Sequence, residues 1–198
     1  MTELPVWADD PGALELTEEQ YDELPDALRK LIEVIDGNVI RCQSGSAEQS
    51  DVARRLANHL EAAKPDDPCM RVSTDVDVHF TRRKRRDGAF SFRRPDVTVY
   101  RCVERGAKLT TADALLVVEV VSPGSGYTDT VDKLAEYAYE GIPVYLIVYL
   151  DSSLYVKMIQ EYRLDWAART YRLAETHEDA LLLESPYSAV VPFSRLDG

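Results

Sequence analysis

The sequence predicts an α/β domain, a mixed β-sheet core flanked by helices, with an N-terminal helix–hairpin–helix extension and C-terminal β strands. Three observations carry that prediction. Residues 114–122 and 144–150 are apolar, β-branched runs of the kind that form strands buried on both faces. Residues 128–140, between them, carry helical spacing and end at Gly141-Ile-Pro143. Elsewhere helical and strand-like segments are interspersed along the chain, the order of a layered α/β domain.

The elements follow in turn. Thr17 to Lys30 reads as a helix, with Thr17 as N-cap, Glu18 and Glu19 in the first turn, and Pro25 as a point of interruption. Leu31 to Gln43 reads as a hairpin, its Asp36-Gly37 pair suited to a tight turn. Ser46 to Ala63 is a helix whose Val52, Leu56 and Leu60 form one apolar face, ended by Pro65-Asp-Asp-Pro68. Met70 to Phe80 alternates as a strand, and Asp96 to Cys102 is another. In the helix over 128–140, Val131, Leu134 and Ala138 are expected to face inward. Residues 153–172 and 180–193 read as further strands and turns. We expect a single domain over 1–198, with a flexible arm at 1–16, the extension at 17–63, the core at 70–150 and strands at 151–198.

A chain of 198 residues can bury a substantial core. Apolar residues make up 45% and charged residues 29%, and no apolar run approaches the roughly 20 residues of a membrane helix. The first ten residues lack the pattern of a signal peptide. Cys42, Cys69 and Cys102 are far apart and in no CxxC pair, so no disulfide framework or zinc knuckle is expected, and a reducing cytoplasm fits. Net charge is −12, which disfavours coating nucleic acid by bulk attraction. Residues 82–94 nevertheless carry +6, from Arg82, Arg83, Lys84, Arg85, Arg86, Arg93 and Arg94 against Asp87. That segment ends two residues before Asp96.

Three acids stand on or beside apolar strands. Glu119 lies inside Ala114-Leu-Leu-Val-Val-Glu-Val-Val-Ser122, Asp96 opens the run Asp96-Val-Thr-Val-Tyr100, and Glu33 lies in Leu31-Ile-Glu-Val-Ile35. An ionised carboxylate so placed needs a cation. Hard divalent ions take oxygen ligands, and magnesium is held by one or two carboxylates together with water and phosphate. Lys133, one to two turns into the helix that follows Glu119's strand, can add a positive charge over the strand's end.

These residues also carry a resemblance. Asp96 in Arg94-Pro-Asp-Val97, Glu119 in Val118-Glu-Val-Val-Ser-Pro-Gly-Ser125, and Asp132-Lys-Leu-Ala-Glu-Tyr137 followed by Gly141-Ile-Pro-Val-Tyr145 resemble the Uma-type family of putative restriction endonucleases, in the PD-(D/E)xK nuclease superfamily. The hairpin over 31–39 resembles that family's N-terminal segment. The likeness runs from about residue 20 to about 150. It implies a restriction-endonuclease-like core and a metal-dependent endonuclease that hydrolyses phosphodiester bonds in DNA, with Mg²⁺ or Mn²⁺ as cofactor. It further implies Asp96 and Glu119 as metal ligands, with Glu33 as an additional acid bordering the site. Lys133 would replace the lysine that many relatives carry two residues past the glutamate, where Val121 stands here. Gln49 stands where a histidine is common, and Leu146 where a tryptophan is common.

Each residue has a plainer reading. Glu119 taken alone fits an ion pair, for instance with Arg94, as well as a ligand role. Asp96 fits a strand start after Pro95, and Lys133 fits a solvated helix lysine paired with Asp129 at i−4. Glu33 fits a hairpin acid facing water. The basic run fits a solvated loop as well as a clamp on phosphates. His59, His79 and His177 show no zinc spacing, and Ser122 has no evident histidine partner. The alternative function is a nuclease-fold protein that binds nucleic acid or regulates without turnover. A homodimer is expected, since duplex DNA has two strands to cut and Tyr145, Tyr149, Leu150 and Tyr155 look like an apolar edge.

Overall fold

The computed structural model describes residues 15–42, 45–82, 89–123 and 127–197, with side chains of the last segment described from 131 onward. The expected arm up to residue 14, the basic residues Arg83, Lys84, Arg85 and Arg86, the loop glycines at 124 and 126, and any Asp129–Lys133 pairing lie outside the described residues. In chain order the first elements are α1 (Glu18–Glu23), α2 (Asp26–Arg29), β1 (Ile32–Ile35), β2 (Asn38–Arg41) and α3 (Ala47–Ala63). Then come β3 (Met70–Thr74), β4 (Val78–His79), β5 (Phe92–Arg93), β6 (Val97–Arg101), β7 (Ala114–Val121), α4 (Tyr127–Glu140) and β8 (Val144–Leu150). The tail adds β9 (Val156–Asp165), β10 (Thr170–His177), β11 (Ala180–Leu183) and β12 (Ala189–Pro192), closed by a 3-10 turn over Phe193–Arg195. The architecture is a mixed α/β fold, as the sequence predicts. Among the described residues no helix is long and apolar enough to cross a membrane.

Residues 15–42 and 89–93 belong to one compact unit. Thr17 caps α1 reciprocally with Gln20: each residue's backbone N–H donates to the other's side chain, at 2.8 and 3.3 Å. The single helix expected over Thr17–Lys30 is two short ones, because Pro25 holds Leu24 extended, at ψ 143°. The hairpin turns at Asp36 and Gly37, both left-handed at φ 53° and 83°, which a two-residue turn of this hand requires. Val34 of β1 pairs with Phe92 of β5, and Tyr21, Phe90 and Phe92 pack with Leu16 and Leu24 into a small core.

Residues 45–82 and 94–197 form the second unit, which holds a six-stranded sheet in the order β10-β9-β8-β7-β6-β3. Only β7 and β8 run parallel in it; the remaining neighbours are antiparallel. A parallel pair needs a crossover, and α4 lies in that connection. Val52, Leu56 and Leu60 of α3 share a core with Val97, Val99, Leu116, Val118, Val120, Leu146 and Val148, all from one face of the sheet. Each such side chain contributes about 1.5–3 kcal/mol by leaving water. The helix assigned from sequence to the N-terminal extension therefore packs with the sheet.

Three expectations are corrected. Cys69 and Cys102 form a disulfide, since β3 and β6 pair antiparallel from Met70↔Arg101 and set the two cysteines opposite each other. Their separation of 33 residues concealed a neighbourhood that only sheet pairing creates, and the ground for expecting a reducing compartment goes with it. On α4, Val131 is 47% exposed, while Lys133, Glu136, Tyr137, Ala138 and Glu140 are buried. The stripe that faces the protein is thus largely polar. Finally, β8 is an interior strand beside β9, and Tyr145 and Leu150 are buried within the same chain, so they form no apolar edge; Tyr155 is exposed.

Candidate active site

Glu119 is the sixth residue of an eight-residue strand whose other members are apolar, and it is itself only 7% exposed. Alternation along β7 puts Leu116, Val118 and Val120 toward α3, so Glu119 points to the opposite face. Two groups of α4 meet it there. Lys133 Nζ donates to Glu119 Oε2 at 2.9 Å, and the Tyr137 hydroxyl donates to Oε1 at 2.8 Å. Lys133 and Tyr137 are four apart on a helix and so share one face. Lys133 is 8% exposed, and the ammonium compensates a carboxylate that burial would otherwise penalise.

Asp96 is brought to the same place by strand register. β6 and β7 pair antiparallel with Val97 opposite Val118, and one further step sets Asp96 across from Glu119. Pro95 has no N–H to continue the ladder. The Asp96 side chain takes over: its Oδ2 accepts from the Val120 N–H at 2.6 Å. The Val120 carbonyl accepts from Gln49 Nε2 at 2.8 Å.

The remaining candidates have partners of their own. Glu33 forms a buried ion pair with Arg93 in the first unit, Nη1 to Oε2 at 2.8 Å, with Arg93 only 2% exposed. Arg93 is therefore an internal counter-ion and not a solvated loop arginine. Arg94 holds Asp77 through Nε at 2.7 Å and Nη2 at 2.6 Å, and Lys133 brings its cation to Glu119. Arg82 has an exposed side chain, while its backbone N–H donates to Glu140 Oε2 at 2.9 Å.

Tyr137, Gln49 and Glu140 were not among the residues expected to matter. Glu140 is 1% exposed and its Oε2 accepts from the Thr81 N–H, the Arg82 N–H and the Thr111 hydroxyl, which fastens the start of the basic segment to the end of α4. The i, i+4 and i+7 spacing of Lys133, Tyr137 and Glu140 was a readable signal for one polar stripe. Gln49 stood out only as a glutamine where a histidine is common, and its partner lies 71 residues away.

Residues 18–190 match the Uma2 family model, described as putative restriction endonuclease. The chain belongs to the Uma2 family. A crystal structure of a putative nuclease belonging to DUF820 from Anabaena variabilis is similar in fold, with a TM-score of 0.64 and 16% identity, over 91% of this chain and 97% of that one. No curated protein matches. Family and fold together mark this Uma2 protein as nuclease-like. Among its described residues no group of three or more His, Cys, Asp or Glu is gathered as a metal cluster. Asp96 and Glu119 are two hard oxygen donors, the number of protein carboxylates that suits magnesium when water and phosphate complete its octahedron.

Proposed function

We propose that this Uma2 protein is a metal-dependent endonuclease that hydrolyses phosphodiester bonds in DNA, with Asp96 and Glu119 holding Mg²⁺ or Mn²⁺. The observation that carries the reading is a buried carboxylate, Glu119, held by a lysine and a tyrosine and set across from a second carboxylate at the ends of adjacent strands. When bound, a divalent ion supplies positive charge against the phosphate and acidifies water. The protein's own groups do the rest. Lys133 offsets the charge of Glu119 and places positive charge where the phosphate's negative charge grows during attack. Tyr137 fixes the second Glu119 oxygen, and the Val120 N–H fixes Asp96, so that neither carboxylate must be ordered at the moment of reaction. Arg82 and the basic residues after it serve as phosphate contacts, which position the backbone without reading bases. Glu33, ion-paired with Arg93, is carried in this reading as an additional acid.

The test is nicking of supercoiled plasmid with Mg²⁺ or Mn²⁺, wild type against Asp96→Ala. Metal-dependent nicking by the wild type, lost in the variant, supports the reading, and metal-independent nicking or an unaffected variant refutes it. A second reading, DNA binding without turnover, draws on the commitment of both Glu119 oxygens and of Asp96 Oδ2 to protein donors. DNA retardation without nicking under either metal selects it. Cutting both strands from one bound state also calls for two sites, and we propose a homodimer on that ground. A strictly monomeric mass in light scattering at micromolar concentration removes it.

A further inference from the structure

We propose that Gln49 is a positioning residue for the carboxylate pair, acting through the backbone of Val120, the residue that follows Glu119; this rests on the nuclease reading above. Gln49 occupies the third position of α3. Its Oε1 accepts from the Ser46 N–H at 2.8 Å, and its own N–H donates to Ser46 Oγ at 3.2 Å, so a capping box fixes the side chain from one end. That leaves Nε2 aimed at the Val120 carbonyl, 2.8 Å away.

Val120 is where the sheet edge changes hands. Its N–H and C=O point toward the same edge, as they do for any residue of an extended strand, and β6 ends before it. Two side chains replace the missing strand: Asp96 accepts from the N–H, and Gln49 donates to the C=O. The two peptide groups that flank the Val120 Cα are therefore each held by a side chain, Asp96 on one and Gln49 on the other. Were the Gln49 donor lost, the Val120–Val121 peptide group could tilt and turn Val120 with it, and both Glu119, one residue before Val120, and Asp96, bonded to the Val120 N–H, would lose their common orientation. Groups one layer removed from metal ligands commonly govern affinity by about 10–100-fold.

Gln49→Glu isolates the effect. Glutamate preserves the capping box, of which it is a preferred member, but opposes a carboxylate oxygen to the Val120 carbonyl where a donor stood. On charge alone, an added carboxylate near the pair would tighten binding of a divalent cation. Geometry gives the opposite sign. The experiment is Mn²⁺ titration followed by electron paramagnetic resonance on the full chain, for wild type, Gln49→Glu, Ser46→Ala and Asp96→Ala, with thermal melting of each. The expected result is about tenfold weaker Mn²⁺ binding in Gln49→Glu with an unchanged melting temperature, while Ser46→Ala melts lower and binds Mn²⁺ like wild type. In plasmid nicking, Gln49→Glu should need about tenfold more metal and approach the wild-type rate when saturated.

Unchanged or tighter Mn²⁺ binding in Gln49→Glu overturns the inference and leaves Gln49 a helix cap. Equal weakening in Ser46→Ala overturns it too, since loosening the helix start would then suffice. If wild type binds no Mn²⁺, or Asp96→Ala binds it as wild type does, the metal site itself falls and the inference with it. That failure shows in the wild type and Asp96→Ala, whereas failure of the inference alone shows only in Gln49→Glu.

Discussion

The two long helices of the larger unit bury opposite chemistries. α3 presents Val52, Leu56 and Leu60 to a face built from valines and leucines, whereas α4 presents Lys133, Tyr137 and Glu140. On the first face, burial stabilises in proportion to apolar area, and almost any well-shaped hydrophobe would serve. On the second, each buried polar group needs a specific partner: Lys133 and Tyr137 meet Glu119, and Glu140 meets Thr81, Arg82 and Thr111. A buried ion pair is weak evidence of stabilisation for its own sake. Its retention at this face, beside Asp96, is what directs attention to chemistry.

The difference can be broken experimentally, most severely on the α4 face. Lys133→Met strands Glu119 without its cation and should destabilise the protein by about 3–5 kcal/mol. Plasmid nicking should fall about 10²–10³-fold, as for loss of one charge-stabilising donor. Pairing it with Glu119→Gln should restore much of the melting temperature and none of the cleavage. Recovery of both would reduce the polar face to scaffold.

On the α3 face, Leu56→Ala should cost about 2–5 kcal/mol in denaturant unfolding, and leave Mn²⁺ affinity near wild type. Leu56 is fully buried among apolar side chains and lies on the face opposite Glu119. An affinity loss as large as that of Lys133→Met would mean the two faces are not separable.

That apolar face has a polar anchor: the Tyr187 hydroxyl donates to the Leu60 carbonyl at 2.9 Å. Burial, together with the negative charge of Glu61, pushes its pKa up to about 12 from an ordinary 10.0. The folded state therefore holds this proton longer than the unfolded chain, and stability falls as pH rises from 10 toward 12. Tyr187→Phe should lose about 1 kcal/mol at neutral pH and show a shallower alkaline decline. Equal alkaline slopes in thermal melts would contradict the assignment.

The smallest effect is expected at Val131. Sequence spacing alone places it inward, but it is 47% exposed, so Val131→Lys should change stability by less than about 0.5 kcal/mol. A loss of several kcal/mol would restore the apolar stripe inferred from the sequence.

What was legible in the sequence was chiefly local or periodic. The Asp36-Gly37 turn, the Ser46-capped α3 with its three apolar positions, and the strands β7 and β8 all follow from residue type and spacing. Glu119 and Asp96 were visible because they interrupt or open such runs. Contacts between segments distant in the chain were not visible: Cys69 with Cys102, Glu33 with Arg93 and Gln49 with Val120 join residues 33, 60 and 71 apart. The misreading of α4 has a different cause. Its few apolar residues suggest an apolar period, and the helix obeys a polar one, because Lys133 and Tyr137 face the Glu119 carboxylate.

The account's central claim is that Asp96 and Glu119 jointly hold a divalent ion on the face that α4 covers. Anomalous diffraction from crystals grown with Mn²⁺ tests it most directly. A manganese peak within coordination distance of oxygens from both carboxylates, with the Lys133 ammonium still on Glu119, is the result predicted. A protein that nicks DNA with Mn²⁺ yet shows its manganese elsewhere, or bound to only one of the two acids, would contradict it.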